Sequence, residues 1–244
     1  MKHHEIDQYA KQSPLCRFDP RVKTLSTIVL VVAIAFLREP LPLLLCLGFL
    51  LVLVSISGIP ARHVGKSYVL ASSFILFAFL TMWYSSGLDE GVNVFLRIST
   101  SVVALIVLTT TTPFFDLLKA LRWFKVPVII SSLLLFTYRF IFVFQDELER
   151  MKLARLARGF KGGKSLLNKE ALRTIAYTAG MILVRSNARA NNIYDALLSR
   201  GYTGEIKTLN SPRAGAKDAA LAIAFVGVAV LSLCIQTDVI IWTL

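Results

Sequence analysis

Histidine and cysteine are scarce in this chain, three of each among 244 residues, and its 15 acidic groups are far outnumbered by 27 lysines and arginines. Cys16, Cys46 and Cys234 are scattered, two of them in apolar runs, and no CxxC pair exists, so neither a disulfide framework nor a zinc site is expected. There is no HExxH, no GxSxG and no pair of carboxylates inside an apolar run, which leaves no residue set for metalloprotease or serine-hydrolase chemistry. Met1-Lys2-His3, with His4 beside it, could chelate Cu(II) or Ni(II) in a square plane, but a free terminus takes up metal adventitiously and no metal role is expected. His63 is a lone loop histidine, expected to be solvated.

A complete phosphate-binding loop is missing too, although ARGFKGGKS (157–165) imitates one with its final Gly163-Lys164-Ser165. The P-loop needs a glycine five residues before that Gly-Lys pair, after a strand. Here the position holds Arg158, and the preceding residues read as helix. The stretch is therefore a basic, glycine-rich turn with no nucleotide chemistry of its own.

What the sequence has in abundance is apolar length. Hydrophobic residues make up 55%, the mean hydropathy is +0.64, and long uncharged runs point to membrane helices. The formal charge of +12 lies outside those runs, as cytoplasmic loops do under the positive-inside rule, and no nucleic-acid-binding signature accompanies it. Five runs can span: residues 24–37, 41–57, 67–84, 92–112 and 219–244, the first two short enough to form a tight hairpin. The first 23 residues are polar and basic, unlike a cleavable signal peptide, so the first run is expected to be an uncleaved anchor.

Lys2, Lys11, Arg17, Arg21 and Lys23 place the amino-terminal segment in the cytoplasm, the loop near Arg62 and Lys66 inside, and the acidic SSGLDEG loop (85–91) outside. A sixth apolar run, 126–144, has basic flanks on both sides, Lys119, Arg122 and Lys125 before it and a long basic stretch after it. It is expected to lie along the inner membrane boundary, packed on lipid or on another protein, with Phe136, Phe140, Phe142 and Phe144 offering a face. A sixth span is the alternative.

The expected architecture is thus an all-α, polytopic membrane protein. Residues 1–112 give the tail and four spans, 113–218 a cytoplasmic-side module, and 219–244 a last span. Within the module, 170–200 reads as a second long helix with Ile175, Ala179, Ile182 and Leu183 on one face.

ARLARGFKG (154–162) and ALLSRGYTG (196–204) repeat one pattern, A-x-L-[AS]-R-G-[FY]-x-G, each at the end of a long helix. Glycine accepts the left-handed conformation that stops a helix, so Arg158 and Arg200 fall on last turns, each beside an aromatic ring. One such arginine complements the helix dipole, an effect of about 0.3 to 1 kcal/mol. Two similar tips suggest two docking points for similar partners, each able to bind a carboxylate bidentately.

These paired Arg-Gly tips resemble the signature of the transmembrane (T) component of energy-coupling-factor (ECF) transporters, most nearly its cobalt-transport branch, CbiQ. FDPRVKTL (18–25), TTTTPFF (109–115) and YRFIFVFQDELERMKLARLARGF (138–160) match in order as well, so the likeness runs along nearly the whole chain. The resemblance implies a non-catalytic multi-pass subunit of a prokaryotic cell (inner) membrane, with coupling helices docked by Ala157, Arg158, Gly159 and by Ser199, Arg200, Gly201 on two ABC-type ATPase subunits. It implies no cofactor on this chain, ATP being used by those partners. A substrate-binding membrane subunit, with or without a small accessory one, would be tilted to release cobalt, or alternatively nickel, in service of cobalamin biosynthesis.

A vitamin-specific T component is the near alternative. A lipid-group transferase using Arg97 and Arg139 against phosphate is the more distant one. Among the remaining charges, Arg97 is expected to reach towards Asp89 or Glu90, Asp116 to start a cytoplasmic helix, Asp19-Pro20 to make a turn, and Asp146, Glu147 and Glu149 to form local ion pairs.

Overall fold

The computed structural model describes residues 18–58, 61–159, 169–202 and 215–243, and among these every regular element is a helix. In order they are α1 (Pro20–Phe36), α2 (Pro40–Ile56), α3 (Ala61–Ser86), α4 (Leu88–Thr111), α5 (Phe114–Trp123), α6 (Val128–Ala157), α7 (Lys169–Leu198) and α8 (Ala216–Thr243). The amino-terminal histidines, Cys16, the His63 side chain and residues 160–168 and 203–214 lie outside the described set. Two compact units result: Met1–Lys125 with Asn210–Leu244, and Val126–Leu209.

Local sequence explains the helix boundaries. Asp19 caps α1, its carboxylate accepting the Arg21 N–H at 2.9 Å, and Pro20 fills the first helical position, where no donor is needed. Pro40 opens α2 in the same way. Gly87, at φ +99°, makes the sharp turn that sends α3 back as α4. Gly91 then lets the two helices close up, since a Cβ there would meet Phe79 Cε2 at 3.3 Å and the Trp83 backbone nitrogen at 3.4 Å. Tyr68 and Ser99 join α3 to α4 further along, their hydroxyls 2.9 Å apart.

The core of the first unit is shared by four helices. Leu30, Ala33, Ile34 and Leu37 of α1 and its end meet Leu43, Cys46 and Leu50 of α2, Val103, Ala104 and Val107 of α4, and Phe225 and Ala229 of α8. Phe49 and Phe225 pack edge to face, their centroids 5.3 Å apart. Outside this core the surface stays apolar: Leu70, Phe74 and Phe77 of α3 are 84%, 68% and 68% exposed. In water such a face would be untenable; against lipid tails it costs nothing, and packing rather than desolvation holds the helices together.

Among the described residues, four helical segments are long and apolar enough to cross a bilayer: Val64–Ser86, Leu88–Thr111, Val128–Ala157 and Asp218–Thr237. Three of the five expected spans are among them. The first two runs form helices of 17 residues each, about 26 Å at 1.5 Å per residue against a hydrocarbon core of about 30 Å. They do not make the expected tight hairpin, because α1 packs chiefly on α8, α4 and α5, and α2 on α4 and α8. The turn between them is held instead by Gln236 of α8, which accepts the Arg38 N–H at 3.0 Å and donates to the Phe36 carbonyl at 3.3 Å. Arg97 adds a bond from Nη2 to the Leu37 carbonyl. It turns inwards to the carboxyl end of α1, where a cation complements the dipole, rather than to Asp89 or Glu90.

The expected boundary run 126–144 continues without a break into charged sequence as one 30-residue helix, α6, that meets the length and composition of a span. None of its residues is fully buried within the chain. Its apolar half therefore presents its surface to whatever surrounds it.

Candidate functional site

The two arginine tips form in the way their sequence dictates. At the end of α6, Arg158 is the capping residue and Gly159 takes φ +83°, its N–H donating to the Leu156 carbonyl at 3.0 Å. At the end of α7, Gly201 takes φ +74°, its N–H reaching Leu198 O at 2.9 Å while the Tyr202 N–H reaches Leu197 O at 3.0 Å. That bond pair is the Schellman motif, which satisfies the last carbonyls and turns the chain away from the helix axis. Only glycine enters this left-handed region without strain. Among the described residues beyond its own helix and chain neighbours, none comes within 4 Å of where a Cβ on Gly159 or Gly201 would be, so the backbone conformation is what selects glycine there.

Both arginines are exposed. Among the described residues neither guanidinium has a hydrogen-bond partner, and Ala157 and Ser199 beside them are exposed as well. Ser199 turns its hydroxyl back onto the Ala196 carbonyl at 3.0 Å, leaving the arginine as the polar group that projects from the tip. Tyr202 is half-buried beside Arg200, whereas Phe160, its counterpart, falls outside the described residues.

The spacing of the tips follows from how α6 and α7 meet. Arg155 donates to the Thr178 hydroxyl, and Arg185 forms an ion pair with Glu147, so increasing number on one helix runs against decreasing number on the other. The pair is antiparallel. Extended in that register, Arg158 faces α7 near residue 175, and roughly 25 residues of α7, or about 38 Å at 1.5 Å per residue, separate it from Arg200. Glu147 thus joins two helices instead of pairing locally, as its sequence neighbours suggested. Arg158 also borders an open groove of 520 Å³ between the helices, together with Met151, Arg155, Tyr177, Met181 and Arg185.

The apolar residues of α7 are not uniformly its buried ones. Ile175 and Leu183 are 53% and 72% exposed, while Thr174, Thr178, Ile182 and Ser186 are half-buried. The Thr178 hydroxyl accepts from Arg155 across the pair, a polar contact of the kind that joins helices in membranes. A second groove, of 720 Å³, lies between the apolar half of α6 and α7, lined by Leu133, Phe136, Phe140, Phe144, Leu183 and Val184. Phe136 stacks on Phe140 at 6.4 Å, and Phe140 meets Phe144 at 6.0 Å. Phe142 does not belong to this face: a two-residue step turns a helix by more than half a circle, and its ring meets Tyr138 at 5.0 Å. Arg139 is exposed on α6.

Sequence reasoning missed a buried polar cluster in the first unit. Lys23 is 4% exposed, Asp19 5% and Asp218 7%. Lys23 Nζ donates to the carbonyl of Thr111, the last residue of α4, at 3.1 Å and to its hydroxyl at 3.3 Å. The Asp218 carboxylate accepts the Gly215 N–H and the Asp19 N–H, both at 2.7 Å. The signal lay in FDPRVKTL, where Lys23 looks like one more flanking charge. Among the described residues, no group of three or more histidine, cysteine, aspartate or glutamate side chains converges as a metal site.

Comparison with known proteins adds a direct finding. The family profile described as the cobalt transport protein, CbiQ, matches residues 11–209. An uncharacterized protein of Methanocaldococcus jannaschii is 25% identical over 86% of this chain and 85% of its own length. The cobalt transport protein CbiQ of Rhodobacter capsulatus is 34% identical over 43% of this chain and 41% of its own. The energy-coupling factor transporter transmembrane protein EcfT of Bacillus subtilis is 29% identical over 77% of this chain and 80% of its own.

Proposed function

The chain belongs to the CbiQ family of cobalt transport proteins, the transmembrane component of ECF transporters and a family of transport subunits rather than enzymes, and from this premise we propose that it couples ATPase movement to cobalt uptake. The observation that carries the proposal is the pair of glycine-broken, arginine-capped tips at the far ends of two antiparallel helices. A partner pocket offering a carboxylate would bind each guanidinium bidentately. Two tips that far apart suit two ATPase subunits, one for Ala157, Arg158 and Gly159 and one for Ser199, Arg200 and Gly201. Closure of the ATPases on ATP would then move α6 and α7 together.

The chain is a multi-pass membrane protein, and its basic amino-terminal segment would lie on the cytoplasmic side, together with the ATPases. A substrate-binding membrane subunit would carry the cargo and be tilted by the moving helices. The aromatic groove of Phe136, Phe140 and Phe144 offers the apolar surface such a subunit could slide on. ATP would be consumed by the partners, with no cofactor held on this chain.

Cobalt is the cargo named by the matching family and by the Rhodobacter relative. One observation favours a second reading, with a different cargo such as a vitamin: the EcfT protein of Bacillus subtilis aligns over 77% of this chain, the Rhodobacter CbiQ over 43%. Uptake of labelled Co(II) by cells expressing the chain with its neighbouring genes separates the two. Energy-dependent accumulation of cobalt is the expected outcome. Vitamin uptake without cobalt uptake would replace the cargo and keep the coupling role.

A further inference from the structure

We infer that Asp19, Lys23 and Asp218 form a polar latch that passes the motion of α6 and α7 into the four-helix core, and so are positioning residues for transport. The inference rests on the coupling role proposed above. Its starting point is where the cluster sits in the chain. The second unit, Val126–Leu209, is joined to the first at only two places in the sequence. On the way out, the chain passes from α4 through Thr111 and α5; on the way back, it enters α8 through Gly215 and Asp218. Lys23 holds the first of these passages and Asp218 the second, and both meet on the first turns of α1.

The bonding suits transmission of force. Asp218 stands at the third helical position of α8 and reaches back to the Gly215 N–H, so its carboxylate closes the helix start as a capping box does. The other oxygen of the same carboxylate takes the Asp19 N–H, at the residue whose own carboxylate caps α1. Lys23 meanwhile supplies the donor that the terminal carbonyl of α4 lacks within its helix, with a charge that suits that end of the dipole. One end of each of three helices is therefore fixed to the others by charge-assisted bonds. Thr24 and Thr27, also buried, turn their hydroxyls back onto the Pro20 and Lys23 carbonyls at 2.6 and 2.9 Å.

Bonds to ionised groups in such surroundings are directional and stiff, and a helix end held by them moves with its neighbours. Without them the ends of α4 and α8 would be free to fray, and a pull arriving through either passage would be absorbed locally. The core would still be held by Leu30, Ile34, Leu43 and Phe225, which lie further along the helices. Assembly and coupling should therefore separate in variants of the latch.

The test uses the whole complex, purified with its ATPases and reconstituted in liposomes, with Co(II) uptake and ATP hydrolysis measured on the same preparation. Lys23→Met keeps the length of the side chain and removes its charge; Asp218→Asn keeps the shape and removes one acceptor. Both are expected to retain the ATPases and hydrolyse ATP, with uptake per ATP reduced by about tenfold. Lys23→Arg, which keeps a cation, should recover most of it. Thr111→Val, which removes only the hydroxyl partner, serves if Lys23→Met does not assemble, and should show a smaller fall in the same ratio. Variants whose uptake per ATP equals that of the parent overturn the latch alone, as does loss of the ATPases in parallel with uptake. A parent that carries no ATPase, or takes up no cobalt, overturns the proposed function itself and this inference with it.

Discussion

Reversing both tip charges together, Arg158→Glu with Arg200→Glu, is expected to strip the ATPase subunits from the chain while leaving its helices intact. Both guanidiniums are exposed, with no intramolecular partner among the described residues. Their loss therefore breaks no side-chain hydrogen bond or ion pair among the described residues of α6 and α7. An acidic residue at a helix carboxyl end opposes the dipole, at a cost of about 0.3 to 1 kcal/mol per site. Removing one member of a buried charge pair at an interface costs about 2 to 5 kcal/mol, and reversal adds repulsion between carboxylates. The interface term is the larger, so binding should fall by more than about 30-fold per tip while the fold persists. Each single variant keeps one tip, and with it some association, because two linked contacts reinforce one another. Binding of purified ATPase to the immobilised chain, with helical content followed by circular dichroism, measures both effects. Equal binding by the parent and the double variant would remove the tips from the interface.

The second large effect concerns the glycines, not the charges. Gly201→Val is expected to weaken ATPase binding by about tenfold, whereas Gly201→Asn stays near the parent, since a left-handed backbone costs an ordinary L-residue about 1 to 2 kcal/mol and asparagine less. At φ +74°, with no described residue beyond its neighbours within 4 Å of a Cβ there, Gly201 brings this backbone term to the fore. Valine would unravel the bonds from Gly201 to Leu198 and from Tyr202 to Leu197, and Arg200 would then leave the helix in a different direction. Gly159, at φ +83°, should behave in the same way. If glycine merely ends the helix and the aim of the arginine is irrelevant, the valine and asparagine variants will bind alike.

How far these features could be read from the sequence depended on how local their causes were. The tips were legible because a helix stop is written within a few residues: an arginine, a glycine, and the left-handed turn that glycine accepts. The start of α1 reads as a turn at Asp19-Pro20, whereas Asp19 caps the helix and Pro20 is its first residue, four positions ahead of the apolar run. Lys23 and Asp218 were not legible. Their partners lie 88 and 199 residues away, and nothing near either residue distinguishes a buried ion from a solvated one. The helix α7 was legible from its apolar steps, but what it bonds to was not. Apolar periodicity marks a helix without naming its partner, and in α7 it is the Thr178 hydroxyl that bonds to Arg155 of α6. Phe142 was grouped with Phe136, Phe140 and Phe144 by composition, and the turn of the helix separates it from them. Arg97 looked like an outer-end charge seeking a carboxylate, yet the carbonyl at the end of α1 was the nearer partner.

The central claim is that the tips at Arg158 and Arg200 touch an ATPase, and site-specific photo-cross-linking tests it most directly. A photoreactive side chain would be placed at Ala157 and, separately, at Ser199, leaving both arginines in place, in the chain co-expressed with its neighbouring genes and purified in mild detergent. Each position is expected to give a covalent adduct with an ATPase subunit, identified by mass spectrometry, and none at a control position such as Leu70 on the outer face of α3. A chain that co-purifies with ATPases but cross-links at both tips only to lipid or to itself would contradict the claim.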